Sequence, residues 1–347
     1  MPCYCLGMGR ITANDIARLA NVSRSTISRV VNDYPNVPDE TRRRVMEVIN
    51  QTGYVPHQQA RNLAGVDQKV LLLFVNNNAD YYADKIAGSS FFGPLTAYVI
   101  DSANRRGYDV IVTQSATPQS WERTRHLLFG HFAAGALFMG VADRDPRVRP
   151  FFRVPTVIVD HRPVRDVRDG HAPIVVNFDN NTGLQHAVNH VIAKNCRRIA
   201  YITGNVRIFS GAERLAAFRL AMKAADVEID ESLVVPGDFS EQSGYDGAHR
   251  LMQGNRPDAI IAGDDECAIG VLRALEELKL KVPQDVSVVG FDDIELARYV
   301  RPSLSTVSAP KREIADKAVE RLIDCIEDRT IVSRDIRIPT EFVARDS

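Results

Sequence analysis

The sequence predicts an α/β protein, with a small helical head followed by a two-lobed, doubly wound body. Three observations carry this reading. Residues 11–52 place apolar side chains at helical spacing, interrupted by a tight turn. From Val70 onward, short β-branched runs alternate with helical segments, the texture of parallel sheets covered on both faces. Charge also divides the chain. Residues 1–65 carry eight arginines against five acidic residues, net +3, while the remainder holds 35 bases and 39 acids, net −4.

The head begins with Ile11–Asn32, two short helices around a turn. Ile16, Ala17 and Ala20 share one face of the first helix, Ile27, Val30 and Val31 share one face of the second, and Val22 plugs the turn. Thr12 and Ser23 each precede a periodic run, where a hydroxyl can cap the free amides of a helix start. Arg24, Ser25, Ser28 and Arg29 point outward from the second helix. These are donors to phosphates and base edges, as a helix entering the major groove requires. The pattern is a helix-turn-helix, and double-stranded DNA is the partner it predicts. After the loop Asp33–Pro38 a third helix is expected at about 39–52, with Val45, Val48 and Ile49 inward and Asp39 and Glu40 opposing the helix dipole in its first turn. Gly53 closes it. Between Pro56 and Gly65 lies one short helix of about eight residues, too short to be stable alone in water and therefore conditional on a packing partner.

In the body the expected strands are Val70–Val75, Tyr108–Thr113, Gly135–Met139, Val154–Val159 and Ile174–Asn177, then Arg198–Thr203, Leu233–Pro236, Ala259–Ala262 and Val286–Phe291. The helices between them are expected at Leu95–Arg106, Asn181–Lys194, Glu213–Ala225, Ser243–Gln253 and Ala268–Leu278. Two similar series imply two doubly wound lobes, with a ligand at the carboxyl ends of the strands. A last helix at about 311–327 and a last strand at about 334–338 close the lobes by crossing back.

The totals exclude several classes. At 347 residues, 45% hydrophobic and 25% charged, the chain reads as two or three ordinary globular units. No window has the apolar length of a membrane span, and the N-terminus has no hydrophobic signal core. Five scattered cysteines argue against a secreted disulfide framework, and a cytoplasmic location is expected. Residues 1–9 have no pattern and are expected to be a disordered leader, with Met1 or Met8 as the start; Cys3 and Cys5 have too few partners to hold a metal. There is no phosphate loop, metalloprotease motif or nucleophile elbow, so no enzyme activity is predicted. His186 and His190 stand four apart on a helix without a third ligand, and Asp264–Glu266 reads as polar contacts at the end of a lobe. No cofactor or metal is expected. A transport-type sugar-binding protein is opposed by the missing signal sequence and by the attached helix-turn-helix.

The residues resemble the lactose-repressor/galactose-repressor (LacI/GalR) transcription regulators from about Ile11 to Val343. The resemblance rests on Asp15-Ile-Ala, Val22-Ser and Thr26–Asn32; on Thr41-Arg and Val45; on Gly53–Pro56 and Ala60–Leu63; on Gly107-Tyr108; and on Pro283–Asp292 and Pro302–Val307. It implies a body like a periplasmic sugar-binding protein, a homodimer, a palindromic operator, and a small-molecule effector. A sugar is the first expectation and a nucleobase or nucleoside corepressor the alternative. The implied domains are 10–55 for the helix-turn-helix, 56–69 for hinge helix and linker, and 70–347 for the body. Lobe one is expected at about 70–178 and 308–330, and lobe two at about 179–307 and 331–347. In the DNA-binding set, Arg24, Ser25 and Arg29 fall at base-reading positions, while Thr12, Ser23, Thr26, Ser28 and Asn32 fall at mainly backbone positions. Pro56–Ala64 matches the hinge helix, with Leu63 as a minor-groove wedge and Ala60 where close approach is needed. The effector set rests first on strand ends. Asp264 and Asp292 end strands, Phe239 follows one and Arg214 begins a helix after one, so all can face one cleft between the lobes. Phe91 and Phe92 fall where relatives stack a ligand ring, Arg214 and Asp292 match the family's recurrent contacts, and Ser210 and His161 are carried over from it. Pro38 departs from the family by weakening the cap of the third helix. The loop Asn76–Ser90 is longer than usual and brings Tyr81 or Tyr82 toward the ligand mouth.

Overall fold

The computed structural model describes residues 12–31, 34–52, 69–76, 89–114, 117–130, 132–143, 145–164, 172–254 and 256–347. The expected leader, Asn32, the hinge helix with Ala60 and Leu63, and Tyr81 and Tyr82 lie outside the described residues. The chain divides into two compact units, Met1–Gln68 and Lys69–Ser347.

In the first unit, α1 (Ala13–Leu19), α2 (Arg24–Val31) and α3 (Asp39–Thr52) pack around Ile16, Ala20, Ile27, Val30 and Val45. Val37, from the loop before α3, joins this core unforeseen, while Val22, Val31, Val48 and Ile49 are only partly covered. Thr12 caps α1 in a reciprocal capping box with Asp15. The Ser23 hydroxyl accepts the Thr26 amide at 3.1 Å and so starts α2. Asn21 supplies the left-handed turn residue between the two helices, at φ 51°. The α3 start leans on the Pro38 carbonyl, which accepts from the Arg42 amide at 2.9 Å.

The second unit holds two six-stranded sheets. The first contains β1 (Val70–Val75), β2 (Asp109–Gln114), β3 (Gly135–Met139), β4 (Thr156–Val159), β5 (Ile174–Phe178) and β11 (Asp335–Ile338). Their spatial order is β2-β1-β3-β4-β5-β11, all parallel. The second contains β6 (Ile199–Ile202), β7 (Val234–Val235), β8 (Ala259–Ala262), β9 (Ser287–Asp292), β10 (Ser305–Ser308) and β12 (Glu341–Val343). Its order β7-β6-β8-β9-β10-β12 repeats the first, except that β12 runs antiparallel to β10. Each lobe therefore has the 2-1-3-4-5 winding that leaves a crevice at the carboxyl ends of its strands.

Burial explains why these strands are continuous apolar runs. In β1, Leu71, Leu73 and Val75 enter one core while Leu72 and Phe74 enter another on the opposite face, with Trp121 stacked on Phe138. The covering helices are α4 (Phe92–Arg105), α5 (Pro118–Phe129) and α10 (Lys311–Ile326) for lobe one. Those of lobe two are α6 (Asn180–Ala193), α7 (Phe209–Ala224), α8 (Glu241–Gln253) and α9 (Asp265–Glu277).

Three elements were not foreseen: α5, β10 and β12. The expected lobe boundary is also corrected. Residues 335–338, assigned to lobe two, form β11 and pair with β5 of lobe one, Asp335 opposite Val175. Ser308, assigned to lobe one, ends β10 in lobe two. The chain thus passes between lobes three times, between β5 and α6, between β10 and α10, and between β11 and β12.

Helices α8 and α9 approach through glycines. A Cβ on Gly244 would lie 1.9 Å from the Cys267 carbonyl oxygen, and one on Gly270 would lie 1.9 Å from that of Glu241. Backbone cannot yield as a side chain tip can, so Gly270→Ala is expected to cost about 2 kcal/mol or more through overpacking. Gly93→Ala, in α4 with open space around it, should stabilise by about 0.5–1 kcal/mol through helix propensity. Thermal unfolding of the two variants checks both signs.

Candidate functional site

Two surfaces bring the expected residues together, one in each unit. On α2, Arg24, Ser25, Ser28 and Arg29 are exposed and Thr26 is half-buried. Ser23, Ser25 and Thr26 form a hydroxyl cluster at the amino end, with Ser23 Oγ 2.7 Å from Ser25 Oγ and 2.8 Å from Thr26 Oγ1. Such a helix start, with no acidic residue in its first turn, attracts phosphate oxygens. Among the described residues, neither the Arg24 nor the Arg29 guanidinium has a hydrogen-bond or ion-pair partner, although the Arg29 carbonyl accepts from the Tyr34 amide at 3.0 Å. Thr12 is engaged elsewhere, its hydroxyl donating to Asp15 Oδ2 at 2.7 Å.

The second surface is a cleft between the lobes of the body, enclosing about 860 Å³ of empty space with the solvent at its mouth included. Lobe one contributes Ser89, Phe91, Phe92, Asp160 and Phe178, and lobe two contributes Asn180, Ile208, Ser210, Arg214, Asp238, Phe239, Ser240, Asp264, Asp265, Glu266, Asp292 and Ile294.

Arg214 sits at its centre, on the second turn of α7. The guanidinium donates to Asp292 Oδ1 at 2.8 Å, to the Gly263 carbonyl at 2.7 Å and to Asn180 Oδ1 at 3.3 Å. It lies 3.7 Å from the centre of the Phe291 ring, with Phe239 at 5.7 Å on the cleft side. Burial works against its charge, but the adjoining Asp292 carboxylate outweighs that penalty and holds its pKa above the ordinary value. Three of five N–H donors are used within the protein, so two remain for a ligand.

The other walls are strand ends. Asp292 ends β9 at φ 107°, and Asp160 follows β4 at φ 60°. Phe239, at φ 68°, lays its ring over Gly204, where any Cβ would fall 1.9 Å from Cζ. Left-handed backbone at non-glycine residues costs of order 1 kcal/mol or more each, and here it aims side chains into the cleft. Phe91 meets Phe92 and Phe178 edge-on at 5.2 and 5.8 Å, so its ring stands as a rigid wall, while Phe92 is mainly core. Asp264 caps α9, accepting the Cys267 amide at 2.8 Å. Asp265 belongs to the wall itself, accepting from Thr306 Oγ1 at 2.5 Å and from the Ile294 amide at 2.8 Å.

Six carboxylates thus face one guanidinium among the described lining residues. Burial pushes Asp264 well above the usual carboxylate range, with Asp292 adding to it. Burial likewise raises Asp265 to about 8 and Asp160 to about 6, the latter against the Ser210 hydroxyl and Arg214, which lower it. Asp160 is half-buried, with part of its surface open on the cleft.

Of the expected effector residues, Phe91, Phe92, Ser210, Arg214, Phe239, Asp264 and Asp292 line this cleft. His161 does not. Its Nδ1 is 2.6 Å from the Arg162 carbonyl oxygen, its Nε2 is 3.8 Å from Asp143, and it borders a neighbouring cavity with Phe209, Glu213 and Arg337. The adjacent Asp160 occupies the cleft instead. The strand-end rule that selected Asp264 and Asp292 would have found Asp160 at the end of β4. Asn180 and Ser89 carried no comparable sequence signal. Among the described residues no group of three His, Cys, Asp or Glu side chains could hold a metal ion, and no helix is long and apolar enough to cross a membrane.

Residues 12–57 match the model of the bacterial regulatory proteins of the lacI family, and residues 188–347 match the periplasmic binding protein-like domain. The ribose operon repressor of Escherichia coli (strain K12) is 31% identical over 343 residues, covering 97% of this chain and 99% of that protein. The HTH-type transcriptional repressor PurR of Klebsiella pneumoniae (strain 342) is also 31% identical over 343 residues, covering 97% and 96%. Among solved structures, the transcriptional regulator CelR–cellobiose complex is 29% identical, with a TM-score of 0.72 over 97% of this chain and all of that one. The Lac repressor bound to ONPG in the repressed state gives 25% identity and a TM-score of 0.80 over 97% and 99%.

The raised carboxyl of Asp160 sets a pH dependence. The folded chain keeps a proton that the unfolded chain releases, so stability contributed by Asp160 is present below about pH 4 and falls as pH rises to about 6. Melting temperatures of wild type and Asp160→Asn, compared from pH 4 to 8, should show wild type losing ground through that window and holding a constant deficit above it. A constant difference throughout would place the Asp160 carboxyl in water.

Proposed function

The chain belongs to the lacI family of bacterial regulatory proteins, and from that premise we propose that it is a homodimeric, operator-binding repressor controlled by a neutral, polyhydroxylated ligand in the body cleft. The observation that carries the ligand class is the buried Arg214–Asp292 pair among further carboxylates, with phenylalanine faces above it. Carboxylates accept from hydroxyls, the two spare guanidinium protons donate to them, and an aromatic face covers the C–H side of a sugar ring. The excess of carboxylates disfavours phosphate and carboxylate ligands. The relatives named for ribose and cellobiose support the sugar class. A flat nucleobase is the second reading, favoured by the Phe91 and Phe239 walls.

Each head is proposed to read one half-site of a palindrome through α2, so that protein and DNA share a two-fold axis. Arg29 has the reach to bond the O6 and N7 acceptors of a guanine, Arg24 and Ser25 read neighbouring base edges, and Ser23, Thr26 and Ser28 hold phosphates. Asn32, Ala60 and Leu63 retain their proposed DNA contacts on the family pattern alone. The ligand touches side chains of both lobes, so it binds open and closed arrangements unequally and shifts their balance. The resulting change in operator affinity is expected in the usual coupling range of about 1–3 kcal/mol, with release by a sugar as the preferred sign.

Thermal shift of the full chain against D-ribose, cellobiose, adenine and guanine tests the ligand class. A ligand at 100-fold its Kd should add about 2.7 kcal/mol of stability, and ribose 5-phosphate should add none. Stabilisation by the bases alone would establish the second reading, and stabilisation by the phosphate would exclude the first. In operator-binding assays, Arg29→Ala should cost about 1–3 kcal/mol and relax preference at one base pair. Arg214→Ala combined with Asp292→Ala should bind operator and ignore the sugar that stabilises wild type. A double variant that still responds fully would put the effector site elsewhere.

A further inference from the structure

The bonds around Arg214 lead outward to all three passages of the chain between the lobes. Its Nε donates to Asn180 Oδ1, and Asn180 opens α6 just after the first passage. The Asn180 amide group in turn donates to Glu213 Oε2. Glu213 Oε1 accepts from Arg337 Nη1 at 2.5 Å, and Arg337 lies on β11 just before the third passage. On the other side, Arg214 holds Asp292, whose carbonyl accepts from Lys311 Nζ at the start of α10, just after the second passage.

The chain of contacts is therefore Arg337, Glu213, Asn180, Arg214, Asp292 and Lys311, running from one lobe through the cleft floor and back. The step that crosses lobes farthest from the cleft is Glu213–Arg337. Its Glu213 side chain is 17% exposed and its Arg337 side chain 36%, so the pair is partly desolvated. The Arg337 guanidinium also lies 5.5 Å from the Phe209 ring centre and 3.4 Å from Asp335, which fixes its direction.

Helix α7 makes this possible by presenting two faces. Ser210 and Arg214 line the effector cleft, whereas Phe209, Ala212, Glu213 and Ala216, spaced as one helical stripe, line the cavity behind it. Asn180 joins the two faces, its oxygen accepting from Arg214 Nε and its amide nitrogen donating to Glu213.

We propose that Arg337, Glu213 and Asn180 are positioning residues that tie the orientation of Arg214 to the setting of lobe one against lobe two. A ligand seated on Arg214 would then load the interlobe passages directly, without relying on contacts across the mouth of the cleft. The assignment builds on the reading of Arg214 as a ligand contact, yet its test uses no ligand. Failure of either is thus seen separately.

The readout is the hydrogen exchange of the Arg214 Nε–H, measured by ¹⁵N NMR on the full chain and assigned through its side-chain carbons. In wild type this proton is buried and bonded to Asn180, so exchange should be slow. In Arg337→Met, with Arg337 over one-third exposed, exchange should rise at least about fivefold, the scale of losing one ordinary hydrogen bond. Arg337→Lys should restore slow exchange in large part. Arg312→Met, which breaks a lobe-one surface pair with Asp101, should leave the signal unchanged. An unchanged signal in Arg337→Met overturns the proposal. Equal acceleration in Arg312→Met does so too, as does acceleration that Arg337→Lys fails to reduce.

Discussion

The body is organised around one buried ion pair, Arg214 with Asp292, whose side chains are only 5% and 8% exposed. Two charges in such a place cost more in lost hydration than their attraction returns, unless further hydrogen bonds complete them. Here Gly263 and Asn180 accept from the guanidinium, and the Phe291 ring supports its flat face. The geometry needs β8, β9, α6 and α7 at fixed separations, because each supplies one partner. A pair of this kind is a poor source of stability and a strong constraint on arrangement. Its value lies in the two guanidinium protons that these bonds leave over at a residue lining the cleft.

The carboxylates around it work in the same direction. Asp160, Asp264 and Asp265 are held where burial favours their neutral forms, and left-handed backbone at Asp160, Phe239 and Asp292 keeps side chains aimed inward. These are costs that a structure selected for stability alone would avoid. On the proposed sugar reading, the hydroxyls of the ligand would give these oxygens donors. The twin winding of the two sheets explains the location. Both lobes turn the carboxyl ends of their strands toward the same space, so strand-end residues from each converge without long loops.

The head and the body were legible to different degrees. In the head, Thr12 and Ser23 cap the helices as their positions imply, and the inward faces are the expected ones. In the body, β1, β3 and β8 lie at the residues expected, because strands buried on both faces are unbroken apolar runs. Helix α5 escaped because its buried stripe is thin, with Trp121 and Leu128 among polar residues, although Thr117 before Pro118 was a usable start signal. Strand β10 escaped for the opposite reason. Its Ser305 and Thr306 are fully buried and satisfied by Ser347 and Asp265, so hydrogen bonding stands in for hydrophobicity.

By itself the sequence determined the helix-turn-helix, the alternation of strands and helices, and the doubling of the body, since these depend on periodicity within one element. It also proposed Arg214 near a helix start and Asp264 and Asp292 at strand ends, which are local features, and all three line the cleft. Only the tertiary structure decided that β11 belongs to lobe one, that Asp160 rather than His161 enters the cleft, and that Asn180 couples Arg214 to Glu213 and Arg337. Those outcomes depend on which strand pairs with which and on a one-residue turn of the backbone. They join residues from 33 to 160 positions apart, and no pattern within a single segment encodes such a distance.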